Sequence, residues 1–207
     1  MSRINPLGAI ESSLEQAGFA QQGLELDGLS LRELRMVSII RIYALPGQPA
    51  QVAEFANLPA QTGEVRGSDP ATLCLRPCEW LVFSQTRKAE VLLRDVPSGS
   101  DHPALHAWDE SDGLGVLRVA GRAAPWTLRK LCGLEFPFDR ERGINCAQTR
   151  FGHISVLMHE YVGSSGIAYH LFVDRSLARY TWELLANAAP HAVELGKAPN
   201  VTDPGRP

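Results

Sequence analysis

The stretch LFVDRSLARYTWELL, Leu171–Leu185, decides the fold. Its first residues are a short apolar run of strand character, closed by Asp174-Arg175-Ser176. Leu177, Tyr180 and Leu184, with Trp182 adjacent, then recur at helical spacing and give a broad apolar face. The reading is a strand feeding a helix over 176–187. The same junction occurs earlier in the chain: LVFSQTRKAEVLL, Leu81–Leu93, aligns beside it and predicts a helix over 87–96.

Working outward, each junction is preceded by a hairpin partner. Thr72–Leu75 pairs with Glu79–Phe83, and Ile154–His159 pairs with Ala168–Val173 across the turn Gly163-Ser164-Ser165-Gly166. Further upstream, Ile39-Ile40-Arg41-Ile42 and Val116-Leu117-Arg118-Val119 share β-branched character and the position of the arginine. Each runs into a glycine turn, at Gly47 and Gly121. A short helix then follows with Pro49 or Pro125 in its first turn, where a missing N–H is tolerated. Val52, Phe55 and Leu58 stripe the first of these helices, and Leu128, Leu131 and Cys132 mark the second.

Each half therefore reads strand–helix–strand–strand–helix. The expectation is an α+β protein of two ferredoxin-like β-α-β-β-α units in tandem, with antiparallel sheets covered by helices. The domain spans 36–189, with pseudo-repeats at 36–100 and 113–189. Residues 1–35 read as an irregular N-terminal segment with one short helix around Ile10–Ala17. Residues 190–207 hold four prolines and two glycines, and read as a tail that orders only on a partner.

Composition narrows the function classes. The chain has 207 residues, 44% of them apolar and 21% charged, which is ordinary for a globular domain of this size. A net charge of −3 lacks the basic footprint of a nucleic-acid binder. No apolar run reaches membrane-spanning length. The opening MSRINPLGAIESSLEQAG carries acids and glutamine where a signal peptide needs an apolar segment, so the expected location is the cytoplasm. Cys74, Cys78, Cys132 and Cys146 are then expected as reduced thiols. Arginine outnumbers lysine 17 to 3, which favours bidentate contacts.

The candidate chemistries are thin. Neither a G-x-x-x-x-G-K-[ST] nor a G-x-G-x-x-G loop occurs, so the backbone cradle for a nucleotide phosphate is missing. There is no G-x-S-x-G elbow and no papain-like cysteine motif. Cys74-x3-Cys78 with His102-x3-His106 is too loose for a structural zinc pattern. His153, His159 and His170 fall on one hairpin and are weighed as a metal or proton-relay cluster against polar residues of a sheet face. Asp109-Glu110-Ser111-Asp112 lacks the spacing of a calcium loop and reads as a solvated turn. Trp80 and Trp182 lie inside elements and read as core. Trp108 and Trp126 read as interface anchors, joined by Arg122, Arg129 and Arg150, because Trp and Arg dominate hot spots. Val193, Leu195 and Val201 punctuate the tail as further anchors.

Four stretches resemble the gamma subunit of heterotetrameric sarcosine oxidase. They are LCLRPCEWLVFS (73–84), DESDGLGVLRVAGRAAPWTLRKLCGLEF (109–136), CAQTRFGHISVLMH (146–159) and LFVDRSLARYTWELL (171–185). They run in the family's order, at suitable separations, over about two thirds of the chain, with SLREL (30–34) as a weaker upstream match. Cys78 stands where the family commonly has an acidic residue before Glu-Trp. The resemblance implies a fold like the folate-binding domain of aminomethyltransferase T-proteins, and a non-catalytic subunit in a complex that oxidatively demethylates sarcosine. It implies a large alpha subunit as the main contact, beta and delta subunits beside it, and FAD, FMN, NAD and zinc in those partners, with no cofactor in this chain. The alternative is a free-standing folate-binding aminomethyltransferase or YgfZ-like protein. That reading needs a longer chain or a K-G-C-Y motif, and the sequence has neither.

Overall fold

A computed structural model describes residues 23–45, 57–96, 105–139, 141–163 and 166–197. The expected helix at 10–17 and most of the one at 49–58 lie outside these residues. The chain divides into two compact units, 36–114 with 139–147, and 1–35 with 115–138 and 148–207. Each is taken in turn.

The first unit holds a five-stranded sheet in the order β4-β5-β6-β3-β7. The strands are β3 (Ser38–Ala44), β4 (Val65–Arg66), β5 (Ala71–Arg76), β6 (Glu79–Ser84) and β7 (Leu105–Asp109). All pairings in it are antiparallel. Alternation along β3 sends Ile40, Ile42 and Ala44 into a core with Trp80, Val82 and Cys74. The helix α1 (Ala89–Asp95) closes this core with Leu92. Arg41 points to the opposite face.

The second unit is built on a six-stranded sheet, β1-β2-β8-β11-β10-β9. Here β1 is Leu24–Leu26, β2 Leu29–Leu34, β8 Leu114–Ala120, β9 Cys146–Phe151, β10 Ile154–Gly163 and β11 Gly166–Asp174. The β10–β11 hairpin keeps register from Leu157↔Phe172 to Gly163↔Gly166, as the sequence pattern requires. Two helices, α2 (Ala124–Arg129) and α3 (Ala178–Lys197), pack against each other, and α3 also meets β1, β2 and β11. Pro125 sits in the first turn of α2. Among the described residues no helix is long and apolar enough to cross a membrane.

Three expectations are corrected. The described part of the segment before residue 36 is not irregular: Leu24–Leu26 and Leu29–Leu34 form a hairpin, and β2 pairs antiparallel with β8 from Ser30↔Ala120 to Leu34↔Val116. Leu29 and Leu31 are buried there, and Asp27-Gly28 is the two-residue turn. Gly28 and Gly121 both take positive φ, and a Cβ on Gly121 would lie 2.4 Å from the Gly28 carbonyl oxygen, so neither position accepts a side chain. Second, β7 adds a strand to the first half. Third, the last helix does not end at 187 ahead of a tail from 190, but runs as α3 through Pro190 to Lys197. Its stripe Ala178, Thr181, Trp182, Leu185, Ala189, Ala192 and Val193 stays buried throughout. Continued burial of that face outweighs the hydrogen bond that an internal proline removes.

Counting strands within each half, both sheets have the same order. Counted from β3 and from β8, the first strand lies between the fourth (β6 or β11) and an added strand (β7 or β2). In the second sheet that added strand comes from the N-terminal segment.

Candidate functional site

The anchors expected from the sequence scatter over the structure. Trp108, on edge strand β7, is 46% exposed and sits directly across from Arg41. Trp126 is half-buried in α2, with the Arg129 guanidinium 5.8 Å from its ring centroid. Arg129 also donates to the Phe136 carbonyl at 2.8 Å. Arg122 pairs with Asp27 at 3.1 Å, and Arg150 donates to the His153 carbonyl at 3.3 Å. Val193 is only 7% exposed within α3, so the fold itself takes it up, and it is not a free anchor. Leu195 is half-buried, and Val201 lies outside the described residues.

The first unit carries a charged ladder on the face opposite its core. Arg41 donates through Nε to Glu110 at 2.7 Å and through Nη1 to Glu79 at 2.8 Å. Glu79 also pairs with Arg76 and is almost buried. Two arginines and two carboxylates thus balance. The acidic turn before β8 is spent on structure: Asp109 accepts from the Ser111 N–H, and Ser111 Oγ accepts from the Ile39 N–H at 2.9 Å. Burial pushes the Cys146 thiol up to about 12. Burial, then the Glu64 charge, pushes Cys74 up to about 11, so both stay protonated and poorly nucleophilic at neutral pH. Among the described residues no group of three His, Cys, Asp or Glu side chains is arranged to hold a metal ion.

The second unit shows a different cluster. Of the three hairpin histidines, His153 is exposed, while His159 and His170 are direct cross-strand partners with ring centroids 5.5 Å apart. Both are nearly buried, at 4% and 3% exposure. Tyr161 stacks on His170 at 4.2 Å, and Arg118 Nε donates to the Tyr161 hydroxyl at 2.7 Å. Alternation sets these side chains opposite Glu160 and Tyr169, which face Phe136 and Phe138. Burial holds both imidazoles neutral at pH 7, lowering His159 to about 4 and His170 to about 3. The sequence flagged the histidines but not Arg118 as part of their group. The available signal was the arginine shared by the two first strands.

Comparisons with known proteins follow the same lines. The sarcosine oxidase subunit gamma of Corynebacterium sp. (strain P-1) is 34% identical over 144 residues, covering 66% of this chain and 70% of its own length. The Arthrobacter sp. subunit gamma is 31% identical with the same coverage. Among solved structures, a chain of the heterotetrameric sarcosine oxidase from Corynebacterium sp. U-96, in complex with pyrrole 2-carboxylate, superposes with a TM-score of 0.68. It is 26% identical, and the match covers 96% of this chain and 99% of that one. The glycine cleavage system aminomethyltransferase T from Bartonella henselae reaches a TM-score of 0.54 at 12% identity, over 87% of this chain and 49% of its own, a likeness of fold alone. No family model matches the sequence.

Proposed function

The chain belongs to the family of sarcosine oxidase gamma subunits, and from that premise we propose that it is the non-catalytic, structural subunit of a multi-subunit sarcosine oxidase. The whole assembly oxidatively demethylates sarcosine to glycine, giving hydrogen peroxide and either formaldehyde or methylenetetrahydrofolate. A large alpha subunit is the main contact, beta and delta subunits complete the complex in the cytoplasm, and FAD, FMN, NAD and zinc reside in those partners. The observation that carries this reading is end-to-end likeness to one chain of a heterotetrameric oxidase, with 96% of this chain and 99% of that one matched. The matching strand orders, with β3 between β6 and β7 and β8 between β11 and β2, support two ferredoxin-like units. Trp108, at 46% exposure, is the strongest of the contact residues, because a half-exposed indole on an edge strand has area still to bury.

The test is co-expression with the three partner subunits, with affinity capture on this chain. The expected result is co-purification of a flavin-containing complex that oxidises sarcosine, while the lone chain is colourless and inactive. Trp108→Ala should lower recovery of the complex severalfold. A lone chain that oxidises sarcosine, or partners that assemble equally well without it, would overturn the reading.

A further inference from the structure

Arg41 and Arg118 occupy the same position on the first strand of their respective halves, each on the face away from the flanking apolar pair. Their surroundings differ in one respect. Arg41 holds two carboxylates, Glu79 and Glu110. Arg118 makes no ion pair among the described residues, and its bonded partner is the neutral Tyr161 hydroxyl. Directly across on β2 is a second cation, Arg32, whose charge is taken by Glu25 at 2.7 Å. Glu25 feels Arg118 only at longer range. Among these described neighbours two guanidinium groups thus meet one carboxylate, Glu25, which is bonded to Arg32.

From this we propose that Arg118, Tyr161 and the His159–His170 pair form a binding site for a carboxylate group. Nε of Arg118 is committed to Tyr161, which leaves its Nη1 and Nη2 edge as a planar fork for two carboxylate oxygens. Tyr161 accepts from Arg118 and keeps its own O–H to donate, and stacking on His170 fixes the ring that carries it. His159 Nδ1 is buried with no hydrogen-bond partner among the described residues, a polar group that an incoming ligand or its bound water would satisfy. Gly163 borders the guanidinium: a Cβ there would lie 3.9 Å from Arg118 Nη2, in ordinary contact. Because burial keeps both imidazoles uncharged at neutral pH, the attraction comes from Arg118, and the histidines supply hydrogen bonds.

The carboxylate has two sources, a small free acid or an acidic side chain of a partner subunit, and the experiment separates them. The full chain, labelled in its histidine rings, is titrated with acetate and with inorganic phosphate at constant ionic strength, and NMR follows His159 and His170. The same chain, Arg118→Gln and Tyr161→Phe are then compared for co-purification with the partner subunits, with thermal unfolding as the check on fold. Saturable movement of both histidine signals with acetate, weakened roughly tenfold or more by Arg118→Gln and less by Tyr161→Phe, supports the site with a free acid as ligand. Silence in the lone chain, with recovery of partners reduced about tenfold in folded Arg118→Gln, supports it with a partner's acidic side chain as ligand. Acetate shifts that persist in Arg118→Gln overturn the proposal. So does silence in the lone chain combined with wild-type assembly by both variants.

Discussion

Burial of His159 and His170 makes the two rings sensors of acid. Their folded pKa values, about 4 and about 3, lie below the ordinary value near 6.5. Between those limits the unfolded chain binds protons that the folded chain refuses. Stability is therefore complete above about pH 6.5 and declines as the pH falls through the window towards the folded values. At about pH 5 each ring costs on the order of 2 kcal/mol. Unfolding temperatures measured between about pH 7.5 and pH 5 should fall steeply for the wild-type chain, and clearly less for the double variant His159→Gln/His170→Gln. Equal slopes would remove burial as the cause. The histidines could be marked as a possible group from sequence, because all three fall on one expected hairpin, although period two divides them between its faces. Which two would meet was not legible, since His159↔His170 depends on a register set by the placement of the turn.

At the level of elements, local signals were read well where a single period dominates. The strand-to-helix junctions at Ser84 and Asp174 and the start of α2 stand where the pattern puts them. The end of α3 was misread for a physical reason. Proline is a strong local stop, yet an exposed proline on a helix whose buried face continues to Ala192 and Val193 is overruled by packing. That residue still leaves a gap in the backbone ladder, because the carbonyl four residues earlier loses its N–H. Pro190→Ala is expected to stabilise the chain, by up to about 3 kcal/mol. Calorimetry should show a higher unfolding temperature, and no gain would mean that the helix has already relaxed around the gap. The β1–β2 hairpin was missed although Asp27-Gly28 is a strong turn signal, because a three-residue strand alternates too briefly to stand out.

For the whole molecule, pairing between distant segments was the least legible feature. Nothing local to Leu29–Leu34 says that its partner is Leu114–Ala120, and the likeness between the two halves hid the arrangement by suggesting that each completes itself in sequence order. The sheet instead borrows β2 from the other end of the chain. Without it, β8 would expose a buried edge bearing Val116, Leu117 and Val119. A chain lacking residues 1–34 should therefore lose most of its soluble yield. A peptide of residues 1–34 supplied during refolding should recover part of it. Soluble, wild-type-like unfolding of the truncated chain would show β2 to be dispensable.

The same borrowed strand sets an order of events during synthesis. Leu29–Leu34 leaves the ribosome first, but its neighbour β8 is not available until much of the chain has been made. At roughly 5–20 residues per second the hairpin waits for seconds with its leucines uncovered. Most of the first unit is complete in that interval, so it has its first chance to fold while the other sheet is still missing its middle. The nascent hairpin thus waits without its partner until β8 arrives, and a strand from beyond the midpoint of the chain fixes the fate of one near its start.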